Sequence, residues 1–157
     1  GEMMDRVIKD FQYWIKKDIE KQEIINCHHN FTQKENHMGK NVWLTRKGAI
    51  SADKGTMGLI PGSMGTASYI VSGKGCIPSF NSAPHGAGRN FSRTEARRRF
   101  TVEHLTEAMR GIEYNPTFEF IDEIPQAYKP IDVVMKDAED LVEIKHKLKQ
   151  LVNIKGT

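Results

Sequence analysis

Between positions 39 and 73 glycine recurs as Gly39, Gly48, Gly55, Gly58, Gly62, Gly65 and Gly73, and the apolar runs between these points are short, such as VWLT at 42–45 and ASYIV at 67–71. Each glycine in a helix interior costs about 1 kcal/mol relative to alanine, so this stretch resists long helix. Short apolar runs bounded by glycines are instead the pattern of strands joined by turns. Residues 24 to 77 therefore read as strand and loop.

The flanks carry a different period. Met4, Val7, Ile8, Phe11, Trp14, Ile15 and Ile19 recur at helical spacing, which predicts one amphipathic helix over residues 3 to 22, packed on a core. Ser92 followed by Glu95 has the form of a capping box, and a second helix is expected over 101–109. Further on, residues 117–121 read as a strand, Pro125 and Pro130 break the chain, 131–146 suit a helix, and 148–154 a closing strand. Without regular βαβ alternation the mixture favours an α+β fold, in a single domain over residues 1–157.

Bulk properties mainly exclude. No run approaches the roughly 20 apolar residues of a membrane-spanning helix. The first residues lack the basic start, apolar stretch and small-residue cleavage site of a signal peptide, so a cytoplasmic location is expected. Cys27 and Cys76 form no CxxC pair and are expected to stay thiols. A net charge of +3 permits a polyanionic partner without requiring one.

Two phosphate-binding motifs are ruled out by single positions. A Walker A loop ending at Gly73 and Lys74 would need glycine at 68 and Ser or Thr at 75, where Ser68 and Gly75 stand. Gly86 and Gly88 begin a GxGxxG whose third glycine position is Phe91. What remains is PGSMGT at 61–66 and HGAGR at 85–89, with Ser92 and Arg93 just beyond. Such backbone can aim N–H groups at phosphate, and Arg89 and Arg93 could each offer a planar fork of donors; the same glycines would also serve tight turns.

His85 lies in a small-residue loop between Pro84 and Gly86. A neutral imidazole nitrogen there could attack a nucleotide α-phosphate, and a hydrogen-bonding role within the loop is the alternative. In NCHHN at 26–30, His28 and His29 adjoin on a segment that reads as strand, so they should face opposite sides, and at most one meets a given metal. His37, His104 and His146 are expected to be structural or solvated. The arginines of RTEARRR at 93–99 spread around a helix, a solvated face or an RNA backbone contact.

NCHHNF at 26–31, TRKGAISA at 45–52, PGSMGTASYIV at 61–71, SAPHGAGRNFSR at 82–93, DEIPQAYKPID at 122–132 and IKG at 154–156 together closely resemble the RtcB-type RNA ligase family. The resemblance runs over nearly the whole chain and implies a mixed α+β fold of that type, truncated. It implies an enzyme that uses GTP and Mn²⁺ to join an RNA 3′-phosphate or 2′,3′-cyclic phosphate to a 5′-hydroxyl, in tRNA splicing and RNA repair. On this reading His85 is the guanylylated nucleophile and His29 a manganese ligand. Asn30, Pro61, Gly62, Ser63, Met64, Ser68, Gly86, Ala87, Gly88, Tyr128 and Lys155 contact the nucleotide, while Arg89 and Arg93 hold RNA or phosphate. Partners would be tRNA halves or broken RNA ends, and an archease-like activator. Family members are more than twice as long, and their amino-terminal part supplies the remaining metal ligands. The expectation is thus a carboxy-terminal portion with little or no ligation alone, and a non-catalytic RNA-binding or complementing module is the alternative. A different guanylyl- or phosphoryl-transfer enzyme built on the same loops is a third.

Overall fold

The computed structural model describes residues 2–154 and is α+β, as the patterning predicts. Helix α1 (Glu2–Ile15) is followed by irregular chain and then by six strands: β1 (Asn30–His37), β2 (Lys40–Lys47), β3 (Ala49–Ser51), β4 (Met57–Pro61), β5 (Ser68–Gly73) and β6 (Ser82–Pro84). Helices α2 (Arg93–Arg99) and α3 (Val102–Ala108), strand β7 (Glu113–Tyr114), helix α4 (Ile131–Asp137) and strands β8 (Val142–Leu148) and β9 (Val152–Asn153) complete it.

The strands form small sheets. β1 pairs with β2, β3 with β6, and β4–β5–β8 make a three-stranded sheet, all antiparallel; β7 and β9 pair in parallel. The β1–β2 hairpin turns through only Met38 and Gly39, both at positive φ (52° and 77°). Two left-handed residues make the turn whose twist matches the flanking strands, and glycine takes the second of them without strain.

Two buried clusters hold the fold. One joins Ile50, Ile60, Tyr69, Val71, Ile131 and Met135, and so packs α4 on the β3, β4 and β5 strands. The other joins Met64, Ala96, Leu105, Phe120, Ile121 and Ile124, and packs α2 and α3 on the 118–124 segment. Tyr128 packs against both.

Five expectations are corrected. α1 stops at Ile15, where Lys16 takes a left-handed φ of 53°, and Met4, Val7, Phe11 and Trp14 are exposed rather than packed on a core of the described residues. Residues 26–29 precede β1 and are not strand. Phe118–Glu123 is a 3-10 helix, not a strand: Phe120, Ile121 and Ile124 turn to the interior while Phe118 stays 66% exposed. The helix expected over 131–146 ends at Asp137, and β8 replaces its second half. Ile131, Val134, Met135 and Ala138 carry the helical period. From Val142 the alternation of VEIKHKL takes over. The closing strand shortens to Val152–Asn153.

Candidate active site

β6 runs antiparallel to β3, with Ala49 opposite Pro84, and its end delivers His85 beside Gly48. The His85 N–H donates to the Gly48 carbonyl (3.3 Å), and the Gly48 N–H donates to the His29 carbonyl (2.9 Å) and to Asn30 Oδ1 (3.2 Å). Gly48 has φ +71°, and a Cβ built on it would lie 3.5 Å from the His85 ring. One glycine thus ties the HHN segment to the HGAGR loop. The side chains meet as well: the His29 and His85 rings are parallel within 4°, with centroids 4.9 Å apart. His29 is exposed and His85 half-buried, so the pair faces solvent at one edge. His28 instead sets its ring edge-on to Phe31 (6.2 Å), so the adjacent histidines do diverge.

The glycine-rich loops touch. A Cβ on Gly86 would lie 3.1 Å from the Pro61 carbonyl, which places the 61–66 turn against the 85–89 loop. Within that turn the Ser63 N–H donates to Thr66 Oγ1 (2.6 Å), and Gly62 N–H donates to the Ala67 carbonyl (3.1 Å). Ser68 follows, paired with Pro61 across β4–β5. Met64 and Ala87 are buried, one in each core cluster, so their side chains are committed to packing. Gly86, Ala87 and Gly88 also line a cleft of about 440 Å³ with Asn90 and Lys129. Lys155 lies outside the described residues.

Arg89 and Arg93 sit in an ion-pair network. Arg89 donates through Nε to the Phe91 carbonyl (3.0 Å) and through Nη1 to the Tyr128 hydroxyl (3.0 Å), lies over the Tyr128 ring (4.9 Å) and faces Glu123 (3.6 Å). Arg93 reaches Asp122 and Glu123, each at 2.9 Å, and its side chain stays 68% exposed. Arg97, expected on a solvated face, also turns to Asp122 (3.3 Å). Asp122 is buried: burial pushes its carboxyl up, but Arg97 and Arg93 outweigh this and hold it below the ordinary value. The Tyr128 hydroxyl is pushed up by burial and by its bond to Glu123 (2.6 Å).

Sequence reasoning missed the acids of this network and a second anchor, Arg46. Arg46 is buried; it is bound to Glu35, to Ser82 Oγ (3.0 Å) and to the Phe80 carbonyl (3.1 Å), pinning the β1–β2 hairpin to the approach of β6. Hydrogen bonding from Arg46 pulls the Glu35 carboxyl down to about 2 against the opposing effect of burial, and His37 adds to the pull. The available signal was an arginine two residues before the glycine of TRKG.

The family model for tRNA-splicing ligase RtcB matches residues 1–156. The chain belongs to the RtcB family. The RNA-splicing ligase RtcB of Escherichia coli (strain K12) is 48% identical over 98% of this chain. The tRNA-splicing ligase RtcB of Nanoarchaeum equitans is 34% identical over 82% of it, and the RNA-splicing ligase RtcB of Mycobacterium bovis 36% over 69%. The chain spans 39% of the length of the Escherichia coli RtcB protein. Three of the motifs that carry the RtcB resemblance, HHN, PGSMGT and HGAGR, are the segments that converge around Gly48 and Gly86.

Proposed function

We propose that this chain is the nucleotide-transfer portion of an RNA ligase and that His85 is its nucleophile. The observation that carries the reading is the His29–His85 pair, held by one glycine beside two glycine-rich turns, in a member of a ligase family. His85 attacks the α-phosphate of GTP; a P–N bond forms, the bond to pyrophosphate breaks, and pyrophosphate leaves. The guanylyl group passes from His85 to an RNA 3′-phosphate, freeing the imidazole. A 5′-hydroxyl then attacks that phosphate, loses its proton and displaces GMP. Asn30, the 61–64 turn, Ser68, Gly86 to Gly88, Tyr128 and Lys155 are assigned to the nucleotide. Arg89 and Arg93 are assigned to RNA or phosphate; each already holds acidic partners, and Arg93, with a side chain 68% exposed, keeps the more open edge.

Manganese fits this chain only in part. Among the described residues no three metal-donor side chains converge, so no step above runs through a metal. His29 would supply one ligand to an Mn²⁺ ion whose other ligands come from the portion of the relatives that this chain does not span. That same observation favours a second reading, a non-catalytic RNA-binding or complementing module. RNA ends such as tRNA halves, a cytoplasmic setting and an archease-like activator belong to the first reading.

The test is incubation with α-labelled GTP and Mn²⁺, with and without the amino-terminal part of an RtcB relative. Acid-labile, base-stable label on the protein, lost in His85→Ala, is the expected result. No label under either condition would overturn the ligase reading in favour of the module.

A further inference from the structure

Strand alternation divides the β1–β2 hairpin into two unlike faces. One carries Phe31, Glu35 and His37 opposite Arg46, Val42 and Lys40, and holds the ion pair of buried Arg46 with half-buried Glu35. The other carries Asn30, Thr32, Lys34 and Asn36 opposite Lys47, Thr45, Trp43 and Asn41; all eight are exposed, and none is acidic. Trp43 is 73% exposed and sits directly across from Lys34. Thr32 and Thr45 share a hydrogen bond (2.9 Å) in the middle of this surface. At about 3.4 Å per residue it extends roughly 20 Å from Asn30 to Asn36. Its inner end adjoins His29, which stacks on His85.

A large aromatic ring held open to water opposite one lysine, with a second two rows along on a face without carboxylates, matches the needs of a single nucleic-acid strand: a platform for a base, and cations and neutral donors along the backbone. Charge complementarity and continuity with the His29–His85 pair argue for RNA over an acidic or apolar protein surface. We infer that the outer face of the β1–β2 hairpin carries a single strand of the RNA substrate away from the His29–His85 pair, with a base stacked on Trp43 and phosphates on Lys34 and Lys47. This rests on the ligase reading for the nature of the polymer.

The experiment uses the full chain carrying Trp14→Phe, which leaves Trp43 as the lone tryptophan, titrated with single-stranded oligoadenylate ending in a 3′-phosphate. Quenching of Trp43 emission is expected, and affinity read from the fluorescence anisotropy of an end-labelled oligonucleotide should fall roughly tenfold in Trp43→Ala, as loss of one stacked base implies. Lys34→Ala with Lys47→Ala should shrink the slope of log affinity against log salt by about 1.4, or about 0.7 per phosphate contact. All three side chains are exposed, so the variants should keep the fold, which circular dichroism checks. Binding with Trp43 emission and salt slope unchanged would overturn the inference, as would no binding even at low salt. A Trp43 signal that changes with protein concentration in the absence of RNA would overturn it too, by assigning the face to a second copy. His85 labelling is independent of these readouts: label without hairpin binding sinks this inference alone, whereas absent label sinks the ligase reading.

Discussion

Arg46 and Glu35 stand diagonally on one face of the β1–β2 hairpin, and the buried guanidinium meets the carboxylate through both of its terminal nitrogens. The Glu35 carboxyl titrates at about 2 when folded, against 4.5 for the free group. A depressed folded value means that the stabilisation is fully present above pH 4.5 and is lost as pH falls toward 2. It is worth on the order of 3 kcal/mol. Glu35→Gln should lower stability by about that much at neutral pH, and its deficit relative to the unaltered chain should close between pH 4.5 and 2. Urea unfolding across that range measures it; a deficit that is independent of pH would contradict the assignment.

Gly48→Ala probes the link between the two histidine segments. The new Cβ would make only an ordinary contact with the His85 ring, so the cost is the left-handed backbone, about 1–2 kcal/mol. Thermal unfolding should drop by several degrees, and GTP-dependent labelling of His85 should fall with it. Full labelling at a reduced melting temperature would show that the glycine serves the fold alone.

Asp122 is the buried centre of a basic surface. Removing Arg93 and Arg97 together leaves its carboxylate in the interior without those two partners, which should cost about 3 kcal/mol. Adding Asp122→Asn to that double variant should recover part of the loss, because an amide costs less to bury than a charge. Melting temperatures of the set decide this, and a further loss on adding Asp122→Asn would refute it.

Phe118 and Phe120 separate the 3-10 segment from the strand it was expected to be. A strand would place both rings on one face, whereas Phe120 is 6% exposed and Phe118 66%. Phe120→Ala should destabilise by about 3–5 kcal/mol and Phe118→Ala by under about 0.5. Equal losses would favour the strand.

What the sequence made legible was set by local rules. Glycine spacing revealed the strands of the middle, and Ser92 caps α2 by accepting from the Glu95 N–H (3.1 Å). The reciprocal half of that box gives way to a Glu95–Arg99 pair (2.6 Å), a choice that spacing alone does not decide. Of the helix expected over 131–146, residues 131–137 form; the rest differs because Leu141 and Val142 extend the helical period of α4, while pairing with β5 draws 142–148 into strand. Such pairing is a tertiary effect that propensity does not carry. At the site, the two loops and both histidines were recognisable, but their meeting at Gly48 was not. Asp122 and Glu123 look like ordinary surface acids until the 3-10 turn carries them inward to Arg89, Arg93 and Arg97.

Because the peptide groups of Gly48 bond to the backbones of both His29 and His85, the spacing of the two is largely indifferent to amino-acid changes nearby. Drift in Lys47, Ala49 or Pro84 alters bulk and charge around the rings, while the bonds to Gly48 persist wherever the backbone path does. The vulnerable point is one position where any side chain strains the chain. A lineage could remodel the surroundings widely, and so change what is bound, while inheriting the histidine pair intact.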